Sequence, residues 1–378
     1  MIHPLGEAAA GRLHETALWL TILDSSRLSR RAAKELLERW CVREQRRLTE
    51  LGDTPAAALV EGLALPLEQV RLAQQVLGDW TSARMALDRL AQSGIEVIIR
   101  TDAAYPEELA HHLPEADLPY LLFAVGELDH LAETGIVIGG SHGAEVTETV
   151  DLQQLATGLA ALAVPVLGGF ERGLDREMLL RVAEAGGRIT AMLPLGLDHA
   201  APILALLRPA LDAHCALVLS PFMPAQAYSE RGGQARLALL SAMGAAMLQV
   251  EPDVALEAWP GAKELLARGD RVAVLSRSDS AEVRSWEAGG AQICDHGSGA
   301  LAAVAAGWAQ VEELGPEPDA LPGVEPIVFH DADEAIDILG RSGRVPPSLA
   351  RRLRESGMFG YQDVEDVDEP YEDPEPDA

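Results

Sequence analysis

The chain has 378 residues, and 48% of them are hydrophobic, which is enough for a sizeable core and excludes global disorder. The formal net charge is −29 and is unevenly spread. Residues 1–90 are neutral, residues 361–378 hold nine carboxylates and no basic residue, and the stretch between them therefore carries −20. A middle this acidic argues against a broad, non-specific phosphate-binding surface.

Cysteine usage and hydropathy indicate the compartment. Cys41, Cys215 and Cys294 lie far apart and form no C-x-x-C pair, which predicts buried thiols in a reducing environment and no metal site. The N-terminus lacks a basic start followed by an apolar block, and the longest uncharged run is broken by glycines and Pro165. We therefore expect a soluble, cytoplasmic protein without signal peptide, membrane span or cofactor.

The predicted elements begin with helices. Apolar residues spaced by three and four between about Leu13 and Leu90 predict a bundle of short helices. The pattern then becomes β-like at Val97–Arg100, and Tyr105-Pro106 is typical of the start of a short helix. The sequence thus predicts a small all-helical domain over residues 1–92.

From Ile136 onward, six predicted strands alternate with helical stretches. These strands are Ile136–Ile138, Val164–Leu167, Arg188–Leu193, Ala216–Ser220, Ala246–Val250 and Arg271–Leu275. Six β–α repeats predict an α/β fold, with a doubly wound, mostly parallel, Rossmann-like sheet over residues 93–312. A linker with a short helical segment is predicted for 313–360 and a disordered acidic tail for 361–378. Ligands of such sheets bind outside the carboxyl ends of the strands.

The loop after the first of these strands is rich in glycine. It contains Gly139, Gly140, Ser141, His142 and Gly143, directly before a predicted helix. Backbone N–H groups at a helix start can hold an anion, and the Ser141 hydroxyl can donate a hydrogen bond. A tight strand–helix turn without a ligand explains the same residues equally well.

The loop after the second strand combines glycines with charge. Gly169 and Gly173 free the backbone, and Arg172 offers a forked cation. Asp175 is a candidate binding residue, but its chemistry favours the simpler role of an N-cap for the next helix. Arg172, in the same way, is either a phosphate ligand or an ordinary surface residue.

Two arginines flank a Gly-Gly pair before a later apolar helix. Arg231 and Arg236 would lie near the carboxyl edge of the sheet, where they can clamp a phosphate. Separately, the range 27–47 holds eight basic residues against three glutamates. That stretch either binds phosphate or is a solvated helix face, and we favour the solvated face.

An ordered series of six segments runs along residues 94–252. The segments are GIEVIIRTDAAYPEELAHHLPEADLPYLLFAVGEL, IVIGGSHG, LGGFERGLDREMLLRVAEAGGRITAMLPLGLD, LVLSPFMP, YSERGGQARLALLS and LQVEP. In the same order they resemble the Tyr-Pro pair, "V-G-S-R", "S-G-x-A-x-G-I-D", "S-E-x-P", "R-N-R-x-I-x-x-L-S" and "V-V-E-A" of the DNA-processing protein A (DprA/Smf) family. With the helical N-terminal part included, the resemblance extends over about residues 13–310.

The resemblance implies a DNA-binding core that is not an enzyme. It implies a homodimer that binds single-stranded DNA and works with a strand-exchange recombinase in DNA uptake, natural transformation and recombination. The matching positions, onto which it places the DNA contacts, are Gly140, Ser141, Gly169, Arg172, Gly173 and Asp175, with Arg231 or Arg236. His142 stands where the family has arginine, and it is the ninth candidate residue. With only 4% aromatic residues, we expect binding to be mainly electrostatic and salt-sensitive.

Two other functions stay open at this point. The acidic middle favours a nucleotide-binding sensor with a degenerate Rossmann-like pocket, because one nucleotide needs only a local anion site. An enzyme similar to phosphoribohydrolases would need "P-G-G-x-G-T-x-x-E" near residues 167–173, where the threonine and the catalytic glutamate are out of place. No G-x-G-x-x-G follows any predicted strand, which disfavours hydride transfer.

Overall fold

The computed structural model describes the backbone of residues 4–141 and 152–313, and the side chains from residue 10 to residue 305 apart from the same gap. By its contacts the chain divides into two compact units, residues 1–317 and 318–378. The second unit lies outside the described residues, as do the predicted linker and acidic tail, apart from residue 313. The four predicted parts therefore stay a prediction.

Short helices fill the first part of the chain. They are α1 (Pro4–Asp24), α2 (Arg30–Leu37), α3 (Leu48–Asp53), α4 (Ala56–Leu63), α5 (Leu67–Leu77) and α6 (Thr81–Gln92). The Ser29 hydroxyl caps α2 by accepting the Ala32 N–H at 3.2 Å, and a π-helical turn, Glu38–Arg43, continues that helix. On α1, Trp19 and Ile22 are fully buried and pack the helices together.

The sheet has nine strands. They are β1 (Glu96–Ile99), β2 (Leu121–Gly126), β3 (Gly135–Gly140), β4 (Val166–Gly168), β5 (Ile189–Met192), β6 (Ala216–Ser220), β7 (Gly244–Val250), β8 (Arg271–Leu275) and β9 (Gln292–Cys294). Their order is β1-β2-β6-β5-β4-β3-β7-β8-β9. Strands β3 to β9 are parallel, and β1 and β2 add an antiparallel edge.

Helices connect and cover the strands. They are α7 (Glu107–His112), α8 (Leu152–Ala161), α9 (Leu174–Glu184), α10 (Ala201–Asp212), α11 (Glu230–Met243), α12 (Ala262–Ala267), α13 (Ala281–Ala288) and α14 (Gly297–Glu313). All residues of β6 and β7 are buried, as strands covered on both faces require. The strand order reverses between β3 and β7, and this point is where such sheets form a crevice for ligands.

The predicted fold class is confirmed, with differences at single strands. The predicted bounds of β6 and β8 match the observed ones. Strand β4 begins at Val166, after the predicted start, because Ala163 has a positive φ of 59° and Pro165 has no N–H for the ladder. Strands β2 and β9 were not predicted. No helix among the described residues is both long and apolar enough to cross a bilayer.

Candidate functional site

The first two glycine-containing loops meet at the crevice between β3 and β7. Gly140 ends β3, and the next residue, Ser141, donates its N–H to the Val250 carbonyl at the end of β7, at 3.2 Å. The Ser141 carbonyl in turn accepts the N–H of Leu174, the first residue of α9, at 3.1 Å. These hydrogen bonds hold the loop that follows β4 against the end of β3, so the predicted candidates from both loops are neighbours.

Two of the predicted glycines are required by close contacts within the protein. A Cβ on Gly140 would lie 2.5 Å from the Val250 carbonyl oxygen and 2.8 Å from Leu174 Cδ2. A Cβ on Gly169 would lie 2.5 Å from Nη1 of Arg236. Protein atoms already occupy the space that a side chain at either glycine would need. The immediate role of the two glycines is therefore to let the loops pack closely.

Asp175 does not cap α9. The prediction of an N-cap was wrong because the helix begins at Leu174, with Gly173 as N-cap at a φ of 111° that a residue with a Cβ rarely adopts. Asp175 therefore lies in the first turn, and its Oδ2 accepts the Gly169 N–H at 2.9 Å. Its Oδ1 is buried and has no hydrogen-bond partner among the described residues.

The surroundings of Asp175 disfavour its charged form. Burial raises the pKa of Asp175 from 3.8 to about 6, while Arg236 and the Gly169 N–H act in the opposite direction. The Phe170 N–H also stabilises the carboxylate, and Phe170 has a positive φ of 55°. The N–H groups of Gly169 and of the strained residue after it thus face an anion, and that anion is a side chain of the protein.

Arg236 is buried, with only 3% of its side chain exposed. Its Nη1 lies 2.9 Å from Oε1 of Glu171 and donates to the Gly169 carbonyl at 3.3 Å. The α11 helix thereby fixes the loop that follows β4. The two arginines predicted to clamp a phosphate differ in their exposure. Arg231 is exposed at the start of α11, whereas Arg236 on the same helix is buried.

Two cations at this edge of the sheet face solvent. Arg172 and Arg231 are exposed, and neither forms an ion pair within the part of the chain that the structure describes. Arg172 follows Glu171 directly, and Arg231 precedes Arg236 by five residues, which is about 7.5 Å along a helix axis. Each exposed cation is therefore close along the chain to one member of the Glu171–Arg236 pair. His142 lies outside the described residues.

The sequence model of one protein family matches residues 96–286, just over half of the chain. The family is described as DNA recombination-mediator protein A. The chain belongs to this family. The matched range contains the crevice, both loops and all nine predicted site residues. No curated protein matches the chain.

The chain is also similar to proteins of known structure. DNA processing protein A from Streptococcus pneumoniae is 19% identical, with a TM-score of 0.56 and coverage of 76% of this chain and 97% of that one. DNA processing protein A from Helicobacter pylori, described with its single-stranded DNA binding mode, is 17% identical with a TM-score of 0.45, covering 58% and 96%. A molybdenum cofactor carrier protein from Chlamydomonas reinhardtii is 17% identical with a TM-score of 0.32, covering 47% and 99%.

The basic stretch, residues 27–47, lies outside the range matched by the family. Most of its cations have protein partners. Arg27 pairs with Asp79, Arg39 with Glu35, Arg43 with Glu115 and Arg46 with Glu50, and the Lys34 ammonium donates to the Ala116 and Leu118 carbonyls at 2.9 and 3.1 Å. These contacts give the stretch a structural role within the helices and leave few of its charges for an external phosphate.

Glu171, the ion-pair partner of Arg236, is a residue of the candidate site that sequence reasoning missed. It stands where the family pattern "S-G-x-A-x-G-I-D" has alanine, and this departure was the available signal. The described residues contain no group of three or more His, Cys, Asp or Glu side chains arranged to hold a metal, and the three cysteines are free thiols.

Proposed function

We propose that this member of the DNA recombination-mediator protein A family binds single-stranded DNA and assists the loading of a recombinase onto it. The observation that carries the proposal is the exposure of Arg172 and Arg231, two cations without ion pairs among the described residues, at the ligand-binding edge of the sheet. Family membership makes DNA the first ligand to consider. The H. pylori protein is described as binding single-stranded DNA, which selects the form to test.

In the proposed complex the exposed arginines contact phosphates and the buried residues position them. Arg172 projects from the loop after β4, whose shape depends on the Gly169–Asp175 hydrogen bond and on the Arg236 guanidinium. Arg231 lies in the first turn of α11, where the Ser229 hydroxyl caps the helix by accepting the Gly232 N–H at 3.1 Å. The positive end of the helix dipole adds to its attraction for a phosphate. Gly140, Gly169 and Gly173 shape this surface rather than contact the ligand.

Few cations then act on the DNA, so its binding should be modest and the slope of its salt dependence shallow. Contact with two to four phosphates gives a slope of about −1.4 to −2.8 in a plot of log affinity against log salt for single strands. Because the protein as a whole is acidic, duplex DNA with its higher charge density gains no broad surface to bind. We expect single strands to bind more tightly than duplex.

The experiment is a fluorescence anisotropy titration with a labelled single strand, the matching duplex and a mononucleotide, each at several salt concentrations. The Arg172→Ala/Arg231→Ala variant should weaken single-strand binding at low salt and reduce the slope by about 1.4. Arg84→Ala, which removes an exposed cation on α6, is the matched control and should change neither quantity. Equal affinity for duplex, or tight binding of the mononucleotide alone, contradicts the proposal and favours the nucleotide sensor.

Recombinase loading and the homodimer form a second part of the proposal and need their own tests. Sedimentation analysis gives the oligomeric state. Recombinase loading is measured as the rate at which a bacterial strand-exchange recombinase forms filaments on single strands coated with a single-strand-binding protein. Acceleration by wild type, lost in the Arg172→Ala/Arg231→Ala variant, is the expected result. Wild type without any effect on filament formation contradicts this part.

A further inference from the structure

The Glu171–Arg236 pair joins a nearly enclosed guanidinium to a carboxylate that faces solvent. Nη1 of Arg236 and Oε1 of Glu171 are 2.9 Å apart, and the two side chains are 3% and 31% exposed. The large difference in exposure places the carboxylate on the solvent side of the guanidinium. An anion that approaches Arg236 from solvent therefore meets Glu171 first.

The guanidinium is not fully satisfied by this partner. Arg236 has five N–H donors on three nitrogens, and its Nη1 contacts both Oε1 of Glu171 and the Gly169 carbonyl. Its Nε is buried without a partner among the described residues. A buried donor without an acceptor costs free energy, and a planar guanidinium is suited to an oxyanion that accepts two parallel hydrogen bonds. A phosphate group supplies such oxygens, and the contact with Glu171 leaves the Nε donor without a partner among the described residues.

The loop that carries Glu171 is bounded by two glycines. It runs from Gly169 to Gly173, it contains Phe170 at a φ of 55°, and Gly173 has a φ of 111°. Its anchor at one end is the hydrogen bond from the Gly169 N–H to Asp175, which does not involve Glu171. A movement of Glu171 away from Arg236 would leave this anchor in place.

We propose that Glu171 occupies a phosphate-binding position on Arg236. Because its carboxylate competes with phosphodiesters for this position, it lowers the affinity of the site for them. The inference rests on the proposed function, since it concerns the same edge of the sheet. When the carboxylate moves out, Arg236 becomes a third cation available to the DNA, in addition to Arg172 and Arg231. Without ligand, the carboxylate keeps the buried guanidinium neutralised.

A purely structural ion pair makes the opposite prediction. If Glu171 only holds the loop, its removal loosens the loop, and binding becomes weaker or stays the same. If Glu171 competes with phosphate, its neutral isostere binds more tightly and with a steeper salt dependence, because one more phosphate contact forms. The direction of the change therefore separates the two roles.

The test compares wild type, Glu171→Gln and Glu171→Asp with the control Glu230→Gln, which removes an exposed carboxylate from the same edge without touching Arg236. With a labelled single strand, Glu171→Gln should bind about three- to tenfold more tightly at low salt, with a slope steeper by about 0.7. Glu171→Asp keeps the charge and should stay close to wild type. Equal gains in Glu171→Gln and Glu230→Gln overturn the inference, because general charge then explains both.

A second measurement keeps the inference separate from DNA binding. Thermal unfolding is followed with increasing inorganic phosphate at constant ionic strength, and Glu171→Gln should gain more stability from phosphate than wild type does. Adding Arg236→Met to Glu171→Gln should abolish that gain. If no protein binds the oligonucleotide, the proposed function fails, and the phosphate series still decides on Glu171. If phosphate stabilises wild type and Glu171→Gln equally, Glu171 is not a competitor.

Discussion

The Glu38 carboxylate, at the start of the π-helical turn after α2, forms an ion pair with the Arg100 guanidinium, which follows β1. The two side chains are 7% and 10% exposed. The Tyr120 hydroxyl, just before β2, donates to the same carboxylate at 3.0 Å, and Nε of Arg43 lies 3.5 Å from its other oxygen. One buried carboxylate thus connects the helices to the antiparallel edge of the sheet.

The Glu38→Gln substitution should destabilise the protein by about 3 kcal/mol, because it leaves the Arg100 guanidinium enclosed without a counter-charge. The free energy of unfolding in urea measures the effect. The control is Glu35→Gln, whose side chain is 34% exposed and pairs with Arg39 one helical turn away, and the expected loss there is about 0.5 kcal/mol or less. Similar losses in both variants contradict the connecting role of Glu38.

Gly169→Ala tests the close contact between the β4 loop and α11. The new methyl group would lie 2.5 Å from Nη1 of Arg236, so the guanidinium or the loop must move, at a cost of about 1–3 kcal/mol. Gly233→Ala is the matched control on α11, because the nearest atom to its Cβ is the Tyr228 hydroxyl oxygen at 3.5 Å. That change should stabilise the helix by up to about 1 kcal/mol. Urea unfolding measures the change in the free energy of unfolding for both variants. Changes of the same sign contradict the packing argument.

The parallel part of the sheet was predictable because its strands are buried on both faces. The continuous apolar runs of β6 and β8 are bounded by turn residues and followed by helices, and that pattern has few other solutions. Strand β2 was missed because it is antiparallel and no helix of the β–α series follows it. Strand β9 is three residues long, and only Cys294 is buried in it, so it leaves almost no signal.

The candidate site was predictable as a set of positions but not as a set of contacts. Glycines and arginines at strand ends identify the carboxyl edge of the sheet. The Arg236 guanidinium contacts Gly169, which is 67 residues away along the chain. A local sequence pattern cannot predict such a contact. The burial of Arg236 and the exposure of Arg231 depend on how α11 packs against the β4 loop. Glycine-rich loops therefore predict where the candidate site lies, and the structure shows which of its arginines are exposed.

Asp175 makes the stability of the protein depend on pH. Burial raises its pKa from 3.8 to about 6, so between these values the folded protein holds a proton that the unfolded chain has released. The free energy of unfolding therefore falls as the pH rises through this window. The Asp175→Asn variant has no proton to lose, and its amide oxygen can still accept the Gly169 N–H.

Relative to wild type, Asp175→Asn should gain up to about 3 kcal/mol between about pH 4 and pH 7. Urea unfolding of both proteins across this range measures the difference, in which the titration of all other carboxylates cancels. A difference that is constant over the whole range means that folding does not shift the pKa of Asp175. A difference that falls as the pH rises means that folding lowers this pKa instead of raising it.

Arg236→Met tests whether the guanidinium stabilises the two carboxylates beside it. Arg236 acts against burial in setting the pKa of Asp175, so its removal should raise that pKa above 6. Glu171 loses its partner at the same time, and methionine fills much of the volume. We expect the free energy of unfolding to fall by about 2–4 kcal/mol near pH 7 and by less near pH 5, where Asp175 is protonated in both proteins.

Arg231→Met is the control and should stay within about 0.5 kcal/mol of wild type at both pH values, since Arg231 is exposed. A loss from Arg236→Met that does not change with pH would mean that packing alone, and not the charge on Arg236, holds the loop in place.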